Sequence, residues 1–382
     1  VGPLNLTPSS LEDSSILLPK MNHLEVADRI AILRIQEETT YRVKDYIVAS
    51  APYRKRASKP VDSDCRIKMC EWCFQVVDFC KFRRETVSIG MSYLDRYLCT
   101  PAGRSALCNR KEYQLAAMTA LYVAIKLHEP LEMETSLLAD LSRGCYTEME
   151  FVQMEQVMLQ AIKWRVNGPT VLAFLAHFLA LLPSSVHPHV AETLLEYARF
   201  QTEIAVAEQN LVFLKPSELA LAALLNAVEG MDVALFPFKA RAKFVKYITR
   251  YSCGDGGGIA GADADVHGSI SELNVHSSKV EKVQTKLSML LLSAVIYPEY
   301  DDMDESLLSE KVAQFQKETS AAERSTISSS SSTTSSTKKK KKSAAAAAGT
   351  SKQKSPVSVI DEAEAATTKS TSTTKSTTSG KQ

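Results

Sequence analysis

Apolar residues recur at helical spacing through most of the first 300 positions, and nothing longer than a few residues alternates with the period of two that a strand requires. The pattern predicts a polar, amphipathic opening helix over His23–Ile47 and a basic connector over Tyr53–Pro60. Five helices are then expected: Asp64–Phe82, Arg84–Cys99, Lys111–His128, Glu134–Arg143 and Thr147–Trp164. Asn167-Gly168-Pro169 joins two strong helix breakers and marks a boundary. Five more helical segments follow, over Thr170–Leu181, Pro188–Gln209, Pro216–Gly230, Pro237–Tyr251 and Val275–Val295. The third segment of each half, Tyr113–Leu127 and Ser217–Met231, is Ala-rich and apolar nearly all round, as a helix wrapped by its neighbours must be. The expectation is an all-α chain of two tandem five-helix units, at 61–168 and 169–300, with an N-terminal helix and connector at 1–60.

Charge separates the rest. Of 45 basic and 44 acidic side chains, 12 and 5 fall in the last 67 residues, which also hold 30 Ser/Thr and few large apolar groups. Such a composition cannot bury enough surface to offset its ordering entropy, so 301–382 is expected to be a disordered tail. The remaining body is acidic, at −6, which argues against direct nucleic-acid binding. The longest apolar runs fall short of the ~18 residues of a spanning helix. No charged n-region followed by an apolar h-region opens the chain. Eight irregularly spaced cysteines are too few for a disulfide scaffold, so the expected setting is soluble and reducing, without a membrane.

Candidate chemistry is sparse. Cys70-Glu71-Trp72-Cys73 is a C-x-x-C inside a predicted helix without a second ligand pair, and reads as buried reduced thiols. His187 and His189 straddle Pro188 at a helix start, in a solvated loop. Gly256, Gly258 and Gly261 form a G-x-G-x-x-G with no strand before it, and Asp263 and Asp265 open a calcium-loop pattern that fails at His267 and Asn274. No nucleophile–base set or carboxylate pair stands out. The reading is a non-enzyme with no metal and no cofactor.

Two charge pairs resist dismissal. Lys126 ends an apolar helix, and Glu155 sits among Phe151, Val152, Met158 and Ile162. Either Lys126 snorkels and Glu155 leans into solvent, or the two present a donor and an acceptor to a partner's backbone. Arg66 and Asp95 are either surface charges or an internal bridge between the first two helices of the first unit.

Residues 65–169 closely resemble a cyclin box. The likeness is carried by CRIKMCEWCFQVVDFCKFRRETVSIGMSYLDRYL, YQLAAMTALYVAIKLHE and EMEFVQMEQVMLQAIKWRVNGPT. The second half resembles the C-terminal cyclin fold more loosely, through LVFLKPSELALAALLNAV, and looks nearest to D-type cyclins. The resemblance implies tandem cyclin folds and a regulatory subunit of a cyclin-dependent protein kinase, acting in the cell cycle. Lys126 and Glu155 match the family's polar anchors for kinase main-chain groups, Leu127, Trp164 and Val166 match the apolar positions around them, and Arg66–Asp95 matches an internal bridge. The substrate-docking groove departs from the family: its Met-Arg-Ala-Ile-Leu is Cys65-Arg66-Ile67-Lys68-Met69, and Gln75 replaces a Glu, while Trp72 and Gln114 match. Docking of Arg-x-Leu substrates or inhibitors is therefore expected to be weak or altered.

Outside the box, Arg104–Leu107 fits a minimal R-x-x-L by chance, and no L-x-C-x-E motif appears near the N-terminus. The run Lys338, Lys339, Lys340, Lys341, Lys342 is compatible with nuclear import, or with simple solubilisation, and implies residence in nucleus and cytoplasm. Ser355-Pro356 is a candidate proline-directed phosphosite. The competing reading is a cyclin-fold transcription scaffold gripping DNA or general transcription proteins. It would be expected to show a basic box and a zinc ribbon.

Overall fold

A computed structural model describes residues 16–19, 21–55, 57, 60–252 and 273–296. The glycine motif at 256–261, the calcium-like pattern from 263, the five-lysine run, Ser355-Pro356 and the expected tail lie outside or largely outside these residues. Among the described residues there are helices and no strands. Two precede the first unit, α1 (His23–Glu38) and α2 (Tyr46–Arg54). The first unit contains α3 (Ser63–Cys80), α4 (Glu85–Leu98), α5 (Arg110–His128), α6 (Thr135–Leu141) and α7 (Glu148–Ala161). The second contains α8 (Val171–Leu179), α9 (Pro188–Ala205), α10 (Pro216–Gly230), α11 (Phe238–Ser252) and α12 (Ser278–Ile296).

Helix starts follow from capping. Asp62 takes the Cys65 N–H at 3.0 Å, Asn109 that of Lys111 at 3.0 Å, and Thr170 that of Ala173 at 3.0 Å. Thr147 and Glu150 form a reciprocal capping box that opens α7. The apolar α5 and α10 each sit inside a separate core. Close approach requires small side chains: a Cβ on Gly90 of α4 would stand 3.1 Å from the Leu121 Cα of α5.

The expected single helix over His23–Ile47 is broken, and Tyr53 belongs to α2 rather than to a connector. Thr39 turns its hydroxyl back to the Ile35 carbonyl at 2.6 Å, and Asp45 restarts the helix by accepting the Val48 N–H at 2.9 Å. The break lets each piece serve a different core. Val26 and Ile30 of α1 pack into the second core, whereas Tyr46 of α2 packs into the first. Gly168 lies under the connecting strap, where a Cβ would meet the Tyr41 ring at 2.7 Å.

Polar contacts fasten α1 to the second unit. Arg34 donates to the Ser252 carbonyl at 2.6 Å, closing the end of α11. Pro216 has no N–H, so the first free donor of α10 belongs to Ser217. It donates to Glu37 at 3.0 Å, and the Ser217 hydroxyl donates to the other carboxylate oxygen at 2.5 Å. Lys215 pairs with the adjacent Glu38. Burial dominates at Glu37 and pushes its carboxyl up from 4.5 to about 7, against the pull of the Ser217 hydrogen bonds.

A carboxyl with a raised folded pKa contributes most below its unfolded value and loses that contribution as pH climbs toward its folded one. Stability is therefore expected to fall between pH 4.5 and about 7 by up to about 3 kcal/mol from this group. Urea midpoints of the parent and of Glu37→Gln across that range check it: the variant should show a flatter profile.

Candidate functional site

The α5 helix is buried along almost its whole length up to Ile125, and Lys126 and Leu127 are the first residues to emerge. Phe151 and Met158 of α7 are buried against the same core, and Glu155 falls between them on the helix. The result is an ion pair, Lys126 Nζ to Glu155 Oε1 at 3.0 Å, with side-chain exposures of 49% and 15%. Glu155 does not lean into solvent. The hydrogen bond that Lys126 donates to Glu155 holds the Lys126 pKa above its ordinary value, and Nζ also lies 5.6 Å from the Tyr122 ring centre. The pair leaves capacity unused: an ammonium has three donors, and the second carboxylate oxygen can still accept. Around it Leu127, Val152 and Trp164 are exposed, Trp164 at 65%.

Trp164 is held out by its backbone. Helix α7 ends at Ala161, and Lys163 and Trp164 follow with φ of 57° and 58°. Left-handed geometry costs a residue with a Cβ ~1–2 kcal/mol, so something must hold these two. Arg96 donates to the Arg165 carbonyl at 2.6 Å and lies 4.7 Å from the Tyr41 ring centre. The Tyr93 hydroxyl donates to the Val166 carbonyl at 2.9 Å, and His128 Nε2 lies 2.9 Å from that hydroxyl. Burial lowers the His128 pKa, so a neutral ring with its proton on Nε2 completes the chain. Val166 itself is half-buried against the first core, unlike the exposed Leu127 and Trp164. The sequence reading passed over Arg96, Tyr93 and His128. A signal was available for the first two, which flank Asp95 in the YLDR string.

Arg66 and Asp95 form a two-pronged bridge, at 2.6 and 3.1 Å, buried on both sides. Tyr46 Oη donates to Asp95 at 2.8 Å, and Arg66 Nε donates to the Val206 carbonyl of the second unit at 3.0 Å. Burial is the largest single influence and opposes the guanidinium charge, but Asp95 together with Tyr46, Cys70 and Tyr113 holds the Arg66 pKa above its ordinary value.

The matched docking groove does not come together as a surface. Cys65, Met69 and Gln114 are buried, with Gln114 3.3 Å from the Tyr146 hydroxyl. Only Ile67, Lys68, Trp72 and Gln75 reach the outside, all but Ile67 partly buried. Residues 65 and 69 lie on the inner face of α3 by its 3.6-residue period, the same face that carries Arg66 to its bridge with Asp95.

Burial pushes the Cys70 thiol up to about 12 and that of Cys73 well above its ordinary range, which makes both poor nucleophiles. His187 caps α9 by accepting the His189 N–H at 3.2 Å. Leu107 of the R-x-x-L is buried and its carbonyl accepts the Val61 N–H. Among the described residues no helix is long and apolar enough to cross a membrane, and no cluster of three or more His, Cys, Asp or Glu could hold a metal ion.

Residues 28–167 match the model of the cyclin N-terminal domain. G1/S-specific cyclin-D1 of Danio rerio is 26% identical over 195 residues, covering 51% of this chain and 64% of that protein. Cyclin-A1-4 of Oryza sativa subsp. japonica is 28% identical over 180 residues, covering 47% and 48% respectively. The chain thus spans about half to two thirds of these curated relatives. A viral cyclin from herpesvirus saimiri overlays with a TM-score of 0.47 at 19% identity, covering 70% of this chain and 97% of that one.

Loss of the Arg96 hydrogen bonds should release residues 162–166. Arg96→Ala is expected to cost about 1.5–3 kcal/mol in denaturant unfolding, as for charged hydrogen bonds generally. Amide exchange at Lys163–Val166 should quicken more than in the α5 core, measured by mass spectrometry.

Proposed function

The chain belongs to the cyclin family, and from that premise we propose that it is the non-catalytic regulatory subunit of a cyclin-dependent Ser/Thr protein kinase, acting in cell-cycle progression. The observation that carries this reading is the Lys126–Glu155 pair, half-exposed, with unused donors and an unused acceptor, set beside exposed Leu127, Val152 and Trp164. Apolar surface supplies affinity, and the pair fixes register on a partner's main chain.

Such a subunit performs no chemistry. Its kinase must bring a helix Glu to the ATP-contacting Lys and open its activation loop. A rigid docking face that fits only this arrangement shifts the population toward it by its differential binding energy. The braced 162–166 turn supports that role, because a face already held in shape loses little entropy on binding. The substrate groove is altered: Lys68 puts a cation and Gln75 a neutral group where an Arg-bearing peptide would want the reverse. The five-lysine run supports transport to the nucleus, with residence in both nucleus and cytoplasm.

Kinase co-purification from host-cell extract tests the main reading. The parent is expected to recover a Ser/Thr kinase, and Lys126→Ala/Glu155→Ala to lose it while keeping its circular dichroism spectrum. Recovery of no kinase by the folded parent would overturn the proposal. A labelled Arg-x-Leu peptide should show no saturable binding in an anisotropy titration; a low-micromolar dissociation constant sinks the altered groove.

A further inference from the structure

Helix α11 carries Lys239, Arg241, Lys243, Lys246 and Arg250 and no acidic residue, in a body whose net charge is −6. Its inner face, Phe244, Ile248 and Ser252, is buried. Arg241 is turned back onto its own loop, donating to the Phe236 carbonyl at 2.7 Å and to that of Met231. The other four cations recur at i, i+4, i+7 and i+11, which places them within an arc of about 60° and along a line of about 16 Å.

All four are exposed, and among the described residues none pairs with a carboxylate. Several cations on other helices are compensated: Lys279 meets Glu218 at 2.6 Å, Lys286 meets Glu208 at 3.1 Å and Arg110 meets Asp62 at 2.7 Å. Lys243 and Arg250 instead lie 5.5 and 5.6 Å from the ring centres of Tyr247 and Tyr251. Like charges four apart on a helix repel, so the row lowers the stability of α11 on its own.

We propose that this face of α11 binds the phosphate backbone of a single-stranded nucleic acid. Successive cations are about 4.5–6 Å apart along the axis, a regular ladder for a regularly charged strand. The exposed positions beside them, Ala242 and Thr249, are small, so the face offers none of the side-chain pockets by which a peptide is held. Phe238, 69% exposed, lies one residue before the row and to one side of it, with the Arg241 guanidinium 5.6 Å from its ring centre, and offers a ring on which a base can stack. A bilayer fits less well, because the apolar face of α11 is committed to the core. The overall acidity of the body conceals this row, since net charge averages over faces. The site lies on the second unit and Lys126–Glu155 on the first, so it stands independently of the kinase reading.

The test uses the full chain with Lys338–Lys342 changed to Gln, which removes the other lysine run. The probe is a labelled 20-nucleotide single-stranded DNA. Four phosphate contacts predict a log–log salt slope of about −2.8, or about 50-fold weaker binding at 200 mM than at 50 mM salt. Adding Lys239→Gln/Lys243→Gln/Lys246→Gln/Arg250→Gln should abolish the binding with an unchanged circular dichroism spectrum and unchanged kinase recovery. Replacing the three lysines by Arg should keep it. Binding lost with the Lys338–Lys342 run alone, or unaffected by the four Gln changes, overturns the proposal. So does tighter binding to the matching duplex, to a poly-Glu peptide, or to vesicles containing 30% phosphatidylserine.

Discussion

The bidentate bridge between Arg66 and Asp95 is the constraint on which both units depend. Asp95 accepts from Arg66 twice and from Tyr46, and Arg66 spends its remaining Nε–H on the Val206 carbonyl. One buried cluster thereby joins α2, α3 and α4 to the segment after α9. Buried ions cost several kcal/mol each to desolvate, and such a pair is tolerated only when nearly every donor and acceptor is satisfied. Here that condition also dictates geometry: the second unit must bring Val206 to Arg66, and α2 must bring Tyr46 to Asp95. The bridge contributes more to specifying the arrangement than to raw stability.

A cavity of about 480 Å³ lies along the same seam, with Arg66, Asp95, Phe74, Leu172 and Phe213 among its lining residues. Arg84 crosses it to Glu203 at 2.9 Å, and Thr170 donates to Glu85 at 2.7 Å. The units are thus joined by directional polar contacts around this pocket and by Val206, Ala207, Val212 and Phe213, which pack against the first core, while each unit keeps its own apolar core. Directional contacts fix an orientation that area alone would leave free to slide.

Much of this was legible because helix boundaries are written in local chemistry. Thr147 with Glu150, Asp62, Thr170 and Pro216 mark starts without any tertiary knowledge, and the all-round apolar α5 and α10 identify the helix inside each core. The break between α1 and α2 was not legible, since the periodicity runs on through Ile47 and only the destination of each half separates them. Facing was the other blind spot. Cys65 and Met69 align with a family motif yet are buried, and the pairing of Lys126 with Glu155 at 3.0 Å depends on how α5 and α7 pack, which periodicity does not state. Arg96 stands beside Asp95 in the YLDR string, but its task, bracing two left-handed residues some seventy positions away, cannot be read from that string.

The division of α1 and α2 between two cores has a consequence in time. Val26 and Ile30 belong to the second core, where α1 packs against α8 and α11, and Ser252, the residue that receives Arg34, lies about 220 positions downstream of it. At roughly 5–20 residues per second, a ribosome needs on the order of 10–40 s to supply that stretch. The first unit, whose contacts are nearer in sequence, can close during that interval, whereas α1 waits with its apolar stripe uncovered. The earliest of the described helices to be made must wait for α11, near the end of the second unit, before it can dock.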